Sequence, residues 1–294
     1  MTLRAAVLGH PISHSKSPAL HRAAYAHLGV DIAYSAIDVT EADLPDFMRQ
    51  VRDGARDGGS WRGLSVTMPL KSAMVAEVDE VRGVGRALGV VNTVAFESDG
   101  GSAGHTRLVG YNTDVAGIVN ALRHAGAASA PTAVVLGGGG TAAAAIAALK
   151  ELGAVAADVF VRDVSRAGAA SAAAAAMGLT IRVLPLAGAA AAVAAADVVV
   201  STLPPRAADE LAAELAGAQL PQSPGVLLDV AYDPWPSRIA ALWQEAGGTV
   251  VPGLEMLIYQ AVEQVRHFTG RGEALPAEVI DVMCDAVGAP RRVF

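Results

Sequence analysis

The chain of 294 residues has one cysteine, Cys284, and aromatic residues make up only 4% of it. A single thiol closes no internal disulfide, so a reducing compartment, and with it a cytoplasmic location, is expected. With so few aromatic rings, a chain that is 52% hydrophobic builds its core from Ala, Val and Leu. That composition suits helices packed closely on a parallel sheet. Positive charge is also scarce: the net charge is −7 and the pI about 5.5. No basic face is available to neutralise phosphates, so nucleic acid is not an expected partner. A local basic pocket for a small anion remains compatible with an acidic chain. No apolar run reaches membrane length. The Ala-rich stretch from Leu186 to Ala196 is short, is bounded by Pro185 and Asp197, and reads as a helix of a soluble domain. The run after Met1 is too short for a secretory signal and leads straight into a polar loop. No membrane partner and no metal site are expected.

A length of 294 residues suits one large or two medium domains. Up to about residue 112, strands (Ala5–Leu8, Ala33–Ile37, Gly63–Val66, Val90–Phe96) alternate with helices (Pro18–Leu28, Ala42–Val51, Lys71–Glu77). Thr40 and Asp43 form a capping pair for the second helix. A helix over Asp114–His124 bridges to a small-residue joint at Gly126–Pro131. Strands Thr132–Leu136, Asp158–Val161, Thr180–Leu184, Val198–Thr202, Val226–Asp229 and Thr249–Val251 then alternate with helical segments, including Thr141–Leu152 and Ser165–Met177. Apolar strands alternating with helices imply a parallel sheet covered on both faces. Two final helices, Leu254–Phe268 and Pro276–Val287, open no further α/β unit and are expected to return to the first domain. The expected architecture is therefore an N-terminal α/β domain (1–112 with 254–294) and a Rossmann-like domain (113–253).

Three stretches carry chemistry. Gly9-His10-Pro11-Ile12-Ser13-His14-Ser15-Lys16-Ser17-Pro18-Ala19-Leu20-His21 crowds hydroxyls, imidazoles and an ammonium between a strand and a helix start. That is where α/β proteins place small polar ligands, although Ser17 before Pro18 is also a suitable helix cap. Gly137-Gly138-Gly139-Gly140-Thr141-Ala142 follows a strand and opens a helix, with Gly137, Gly139 and Ala142 filling the G-x-G-x-x-G/A frame. Such a turn lets backbone approach a pyrophosphate, which the free N–H groups and the helix dipole then hold. At the end of the next strand, Arg162 and Arg166 suit the 2′-phosphate of NADP, whereas Asp163 suits the free 2′-hydroxyl of NAD or a helix cap. Two arginines against one carboxylate favour NADP, with NAD as the alternative. The third set is Ser65, Thr67, Lys71, Asn92, Asn112 and Asp114, all near strand ends. A cation in the first turn of a helix opposes the dipole, so Lys71 needs another reason to be there. A Lys beside an Asp can pass a proton to and from an alcohol oxygen.

Taken together, these stretches closely resemble the shikimate dehydrogenase family. Gly9-x-Pro11-Ile12-x-His14-Ser15-x-Ser17-Pro18-x-x-His21, Val66-Thr67-x-Pro69-x-Lys71, Val91-Asn92-Thr93 and Asn112-Thr113-Asp114 occur in the family's order. The glycine turn follows, and then Ser201-Thr202-x-Pro204, Asp229-x-x-Tyr232-x-Pro234 and Gly253-x-x-Met256-Leu257-x-x-Gln260-Ala261. The resemblance implies NADPH-dependent reduction of 3-dehydroshikimate to shikimate in aromatic amino-acid biosynthesis. It implies that Ser15 and Ser17 hold the substrate carboxylate with Tyr232 nearby, and that Thr67, Asn92, Asp114 and Gln260 bind ring hydroxyls. Lys71 and Asp114 would be the catalytic pair. Gly137–Ala142, Arg162, Asp163, Arg166 and Thr202 would face the cofactor, with Gly253 and Met256 near the nicotinamide. A monomer or homodimer is expected. Two positions depart from the family: Ser65 stands where Asn is usual, and Val161-Arg162-Asp163 where Asn-Arg-Thr is usual. The second departure keeps an NAD-preferring quinate or aminoshikimate dehydrogenase as the alternative.

Overall fold

Strand and helix signals alternate along most of the chain, and the computed structural model follows that alternation. It describes residues 3–56, 61–98, 106–218, 220–271 and 275–291. The chain divides into two units, Met1–Thr113 with Ile258–Phe294, and Asp114–Leu257.

The first unit contains β1 (Leu3–Gly9), α1 (Ser17–Leu28), β2 (Ile32–Asp38), α2 (Leu44–Arg56), β3 (Trp61–Val66), β4 (Glu80–Val81), α3 (Val84–Leu88), β5 (Thr93–Ser98) and β6 (Thr106–Tyr111). Its sheet has the order β2-β1-β3-β5-β6-β4. β1 pairs in parallel with β2 and β3, and β5 runs antiparallel between β3 and β6. Leu8, Leu44, Met48, Leu64, Leu70, Met74 and Val94 form the buried cluster on one face. The second unit runs through α4 (Asp114–His124), β7 (Ala133–Leu136), α5 (Gly140–Glu151), β8 (Ala156–Val161), α6 (Gly168–Met177), β9 (Thr180–Pro185), α7 (Ala190–Ala195), β10 (Val198–Ser201), α8 (Asp209–Ala218), β11 (Val226–Asp229), α9 (Arg238–Glu245) and β12 (Thr249–Pro252). Its sheet is parallel throughout, ordered β12-β11-β10-β7-β8-β9. That is the doubly wound order, with the switch point between β7 and β10. Ala142 to Ala148 of α5 are all buried, so the side chains that pack this helix on its neighbours are nearly all methyl groups, Ile146 excepted. α10 (Gly253–Thr269) carries the chain back, and α11 (Glu278–Val287) packs on α1 in the first unit. Among the described residues, no helix is long and apolar enough to cross a membrane.

Several local expectations change. The run Val90–Phe96 is strand only from Thr93, because the Val91 N–H leaves the sheet for the Lys71 carbonyl at 2.9 Å. The expected helix over Lys71–Glu77 is a 3-10 turn at Ala73–Glu77, and Lys71 lies in the turn before it. The helix-dipole reason for singling out Lys71 therefore lapses, because no α-helix starts there. Ser17 is the first residue of α1 rather than its cap; the Ser15 hydroxyl accepts its N–H at 3.3 Å. Ser165 opens no α-helix: Val164–Arg166 is a 3-10 turn and α6 begins at Gly168. The helix read over Leu186–Ala196 is confined to Ala190–Ala195.

Candidate active site

In the first unit, backbone pairing brings the polar strand ends together. The Thr67 N–H donates to Leu8 O at 2.9 Å, and the His10 N–H to Met68 O at 3.0 Å. The loop after β1 therefore lies against the turn after β3. Gly9 is required there, because a Cβ on it would fall 2.5 Å from Thr67 Cγ2. Asp38 pins the same loop. It accepts from Ile12 N at 3.2 Å and pairs with His10 Nδ1 at 2.6 Å, a contact that holds its carboxyl below the usual range. The loop carries Ser15, half-buried, and leads into Ser17, buried at the start of α1.

Asn92 is the centre of this end of the sheet and is 1% exposed. Its backbone accepts from Val66 N at 2.8 Å and donates to Tyr111 O at 3.1 Å. The Asn92 Oδ1 accepts from Thr113 N at 2.7 Å and from Thr93 Oγ1 at 2.8 Å, and Nδ2 donates to Thr113 Oγ1 at 3.0 Å. Gln260 reaches the same group from α10, its Oε1 lying 3.4 Å from Thr113 Oγ1. Val91 N–H to Lys71 O places the Lys71 main chain one residue away. Thr67, Lys71, Asn92 and Gln260 thus share one end of one unit. Asp114 follows Thr113 directly, is buried, and opens α4 in the second unit.

Sequence reasoning missed the layer beneath. Gln264, one helical turn after Gln260, is 2% exposed and bonds to Ser65, His21, Asn92 and Thr93. Its i+4 spacing from Gln260 was the available signal.

In the second unit the turn after β7 is shaped by what it lacks. Gly137 has φ +112°, and a Cβ on it would meet Thr202 Oγ1 at 2.3 Å. Thr202 is held there by its N–H and its hydroxyl, both donating to Leu136 O at 2.8 Å. A Cβ at Gly138 would lie 3.0–3.1 Å from Val161 and Ala167, whereas Gly139 faces open space and caps α5. Gly140 and Thr141 follow in the first turn, and Ala142 is fully buried. The result is a cradle of bare backbone at a helix N-terminus, which fits a pyrophosphate. Arg162, Asp163 and Arg166 are exposed beyond β8. Asp163 Oδ1 accepts from Ser165 N at 3.0 Å and Ser165 Oγ at 2.7 Å; these bonds lower its pKa and make it the cap of the 3-10 turn. Arg162 also lines a cavity of about 250 Å³ with Leu186, Ala207, Glu210 and Leu211. Tyr232 lies in the loop after β11, where burial and then Asp233 raise its pKa. Asp229 ties that loop down by accepting from Ser237 Oγ at 2.6 Å, and its own burial raises its pKa. Gly253 is buried where α10 begins; a Cβ would strike Val230 O at 2.1 Å. Met256 is buried one turn later.

Residues 7–94 match the shikimate dehydrogenase substrate binding domain, and residues 253–272 match the shikimate 5'-dehydrogenase C-terminal domain. A shikimate dehydrogenase (NADP(+)) from Thermus thermophilus is 37% identical over 268 residues, 91% of this chain and 93% of that protein. The chain belongs to the shikimate dehydrogenase family. The crystal structure of the Mycobacterium tuberculosis family member superposes with a TM-score of 0.80 at 39% identity, covering 97% of this chain and 99% of that one. A Thermus thermophilus structure in complex with NADP(H) and shikimate gives 0.78 at 33% identity, covering 97% of this chain and all of that one. The family fold, with an N-terminal substrate-binding domain and a Rossmann-like domain, is the fold of this chain.

Proposed function

We propose that the protein is a cytoplasmic shikimate dehydrogenase that reversibly reduces 3-dehydroshikimate to shikimate with NADPH. The observation that carries this reading is the gathering at Asn92: Thr113 and Gln260 meet its buried amide, and the main-chain bonds of Val66 and Val91 bring the segments that carry Thr67 and Lys71 to the same end of the first sheet. Asn92, Thr67 and Gln260 supply the alternating donors and acceptors that a polyol ring requires. Ser15 accepts the Ser17 N–H, which leaves its own O–H as a donor for a carboxylate; Ser17 and Tyr232 complete that end of the substrate. Hydroxyls can hold a carboxylate without a large positive field.

NADPH supplies the hydride. The Lys71 ammonium gives a proton to the carbonyl oxygen as it becomes an alkoxide and recovers it in the reverse direction, and Asp114 keeps the ammonium oriented. Gly137–Ala142 hold the pyrophosphate through backbone N–H groups, with Thr202 fixing the turn. Gly253 and Met256 flank the nicotinamide. Arg162 and Arg166 receive the 2′-phosphate. Asp163 serves as a cap through Oδ1, which favours NADP over NAD. The substrate is a small acid; nucleic acid and membrane play no part, and the protein works as a monomer or homodimer.

Initial rates with shikimate and quinate, each with NADP and NAD, test the assignment. Shikimate with NADP is expected to be fastest. Faster turnover of quinate with NAD would replace this reading with that of a quinate dehydrogenase.

A further inference from the structure

Ser65, Tyr34, His21, Tyr25 and Gln264 form a polar chain sealed in the first unit, none of them more than 5% exposed. The direction of every hydrogen bond in it follows from one fixed point. The Asn92 carbonyl can only accept, so the Gln264 group facing it at 3.1 Å is Nε2. The same nitrogen donates to Thr93 Oγ1 at 3.1 Å, and Thr93 passes its own proton to Asn92 Oδ1. Gln264 Oε1 then faces the other way and accepts from Ser65 Oγ at 2.7 Å and from His21 Nε2 at 3.2 Å. Ser65 in turn accepts from Tyr34 Oη at 2.6 Å. His21 is neutral, because burial lowers its pKa to about 3, so its Nδ1 accepts from Tyr25 Oη at 3.1 Å. His21 also stacks on Tyr34 with ring centroids 4.0 Å apart. Each of these five side chains is hydrogen-bonded, which makes the network rigid.

We infer that Gln264 is a positioning residue for the substrate site. Its amide grips both the carbonyl of Asn92 and the hydroxyl that orients the Asn92 side chain. The Asn92 carbonyl thus takes a second donor from α10, besides the Val66 N–H, while Ser65 spends its proton on Gln264. Gln260 and Gln264 lie four residues apart on one helix face. The first reaches Asn92 and Thr113, and the second fixes Asn92 from below. The returning helix therefore sets the geometry of an asparagine 172 residues earlier in the chain. The inference rests on the proposed function, since it assigns Asn92 to a substrate hydroxyl.

The experiment compares three variants in the full-length protein. Gln264→Met keeps the side-chain length but removes both polar ends. It is expected to raise KM for shikimate about three- to tenfold. KM for NADP should stay within twofold and kcat should change less than KM. Ser65→Ala, the milder change, should move KM for shikimate in the same direction by about twofold, and it decides the matter if Gln264→Met does not fold. Tyr25→Phe breaks the far end of the network and should lower the melting temperature without moving KM. If Gln264→Met, or Ser65→Ala in its place, loses stability like Tyr25→Phe but leaves KM unchanged, Gln264 is merely structural and the inference falls. A wild-type protein that neither binds shikimate in calorimetry nor oxidises it would instead sink the functional reading itself.

Discussion

Around Asn92 the segments contribute side chains: Thr93 from β5, Thr113 from just after β6, and Gln260 and Gln264 from α10. Around Gly137 the opposite holds. The turn is built from four successive glycines, and the space they leave is bounded by Thr202, Val161 and Ala167. The two regions recognise different things. A ring with several hydroxyls must be distinguished from similar rings, which calls for fixed donors and acceptors whose absence of a partner is costly. A pyrophosphate is the same in every dinucleotide, so backbone N–H groups and a helix dipole suffice. The first region should fail when a side chain is removed, and the second when one is added.

The largest effect should come from the first region. Lys71→Ala removes the proposed proton donor and is expected to lower kcat by on the order of 10²–10⁴. NADPH affinity should stay within about twofold, because the cofactor cradle is assembled in the other unit. Steady-state kinetics with parallel fluorescence titration of NADPH measures both. Unchanged turnover would remove the acid–base role from Lys71.

The reverse experiment adds a methyl group to the second region. Gly137→Ala places a Cβ at a φ of +112° and 2.3 Å from Thr202 Oγ1. Strain of roughly 1–3 kcal/mol follows. Both stability and NADPH affinity should suffer. Gly139→Ala meets nothing within 4 Å and has an ordinary φ of −87°. It should cost about 1 kcal/mol or less in stability, yet it fills the space that the pyrophosphate needs. Thermal melts beside NADPH titrations separate the two. If Gly139→Ala binds NADPH as the wild type does, the cradle is not where the phosphates sit.

The same contrast explains what could be read from sequence. The glycine turn is a local device: a strand, four glycines and an Ala-rich helix lie within a dozen residues, so its motif states its geometry. The loop Gly9–His21 was legible for the same reason. Lys71 was singled out by a helix that does not exist, because Leu70 N–H closes a turn on Thr67 O and Met74 N–H on Leu70 O, leaving only a 3-10 turn beyond. Val90–Phe96 read as one strand because apolar character continues through Val90 and Val91, although the Val91 hydrogen bond goes elsewhere. β6 was missed: it pairs antiparallel with β5, and Leu108-Val109 is too short an apolar run to announce a strand by itself. Tyr232 and Gln260 were reached only through family resemblance, and Gln264 not at all. Its partners Ser65 and His21 lie 199 and 243 residues away along the chain, a separation no local pattern encodes.

The last test asks how tightly the side-chain region is sealed. His21 is fully buried among Tyr25, Tyr34, Gln264 and Phe268, and its pKa falls from 6.5 to about 3 because burial disfavours the cation. The unfolded chain takes up a proton on this imidazole near pH 6.5, whereas the folded protein does not until about pH 3. The unfolded state therefore binds more protons throughout that window. The contribution is fully present above pH 6.5 and is lost as the pH falls towards 3. One proton per molecule corresponds to about 1.4 kcal/mol of stability per pH unit. Carboxylates and His267, which burial also shifts downwards, add slopes of their own, so the measurement is a difference. Urea unfolding of the wild type and of His21→Asn, compared between pH 7 and pH 4.5, should show the variant less stable at pH 7 and the gap narrowing as pH falls. A gap that stays constant would mean that His21 is protonated within the fold, and that the network around Gln264 admits a charge which its hydrogen bonds leave no room for.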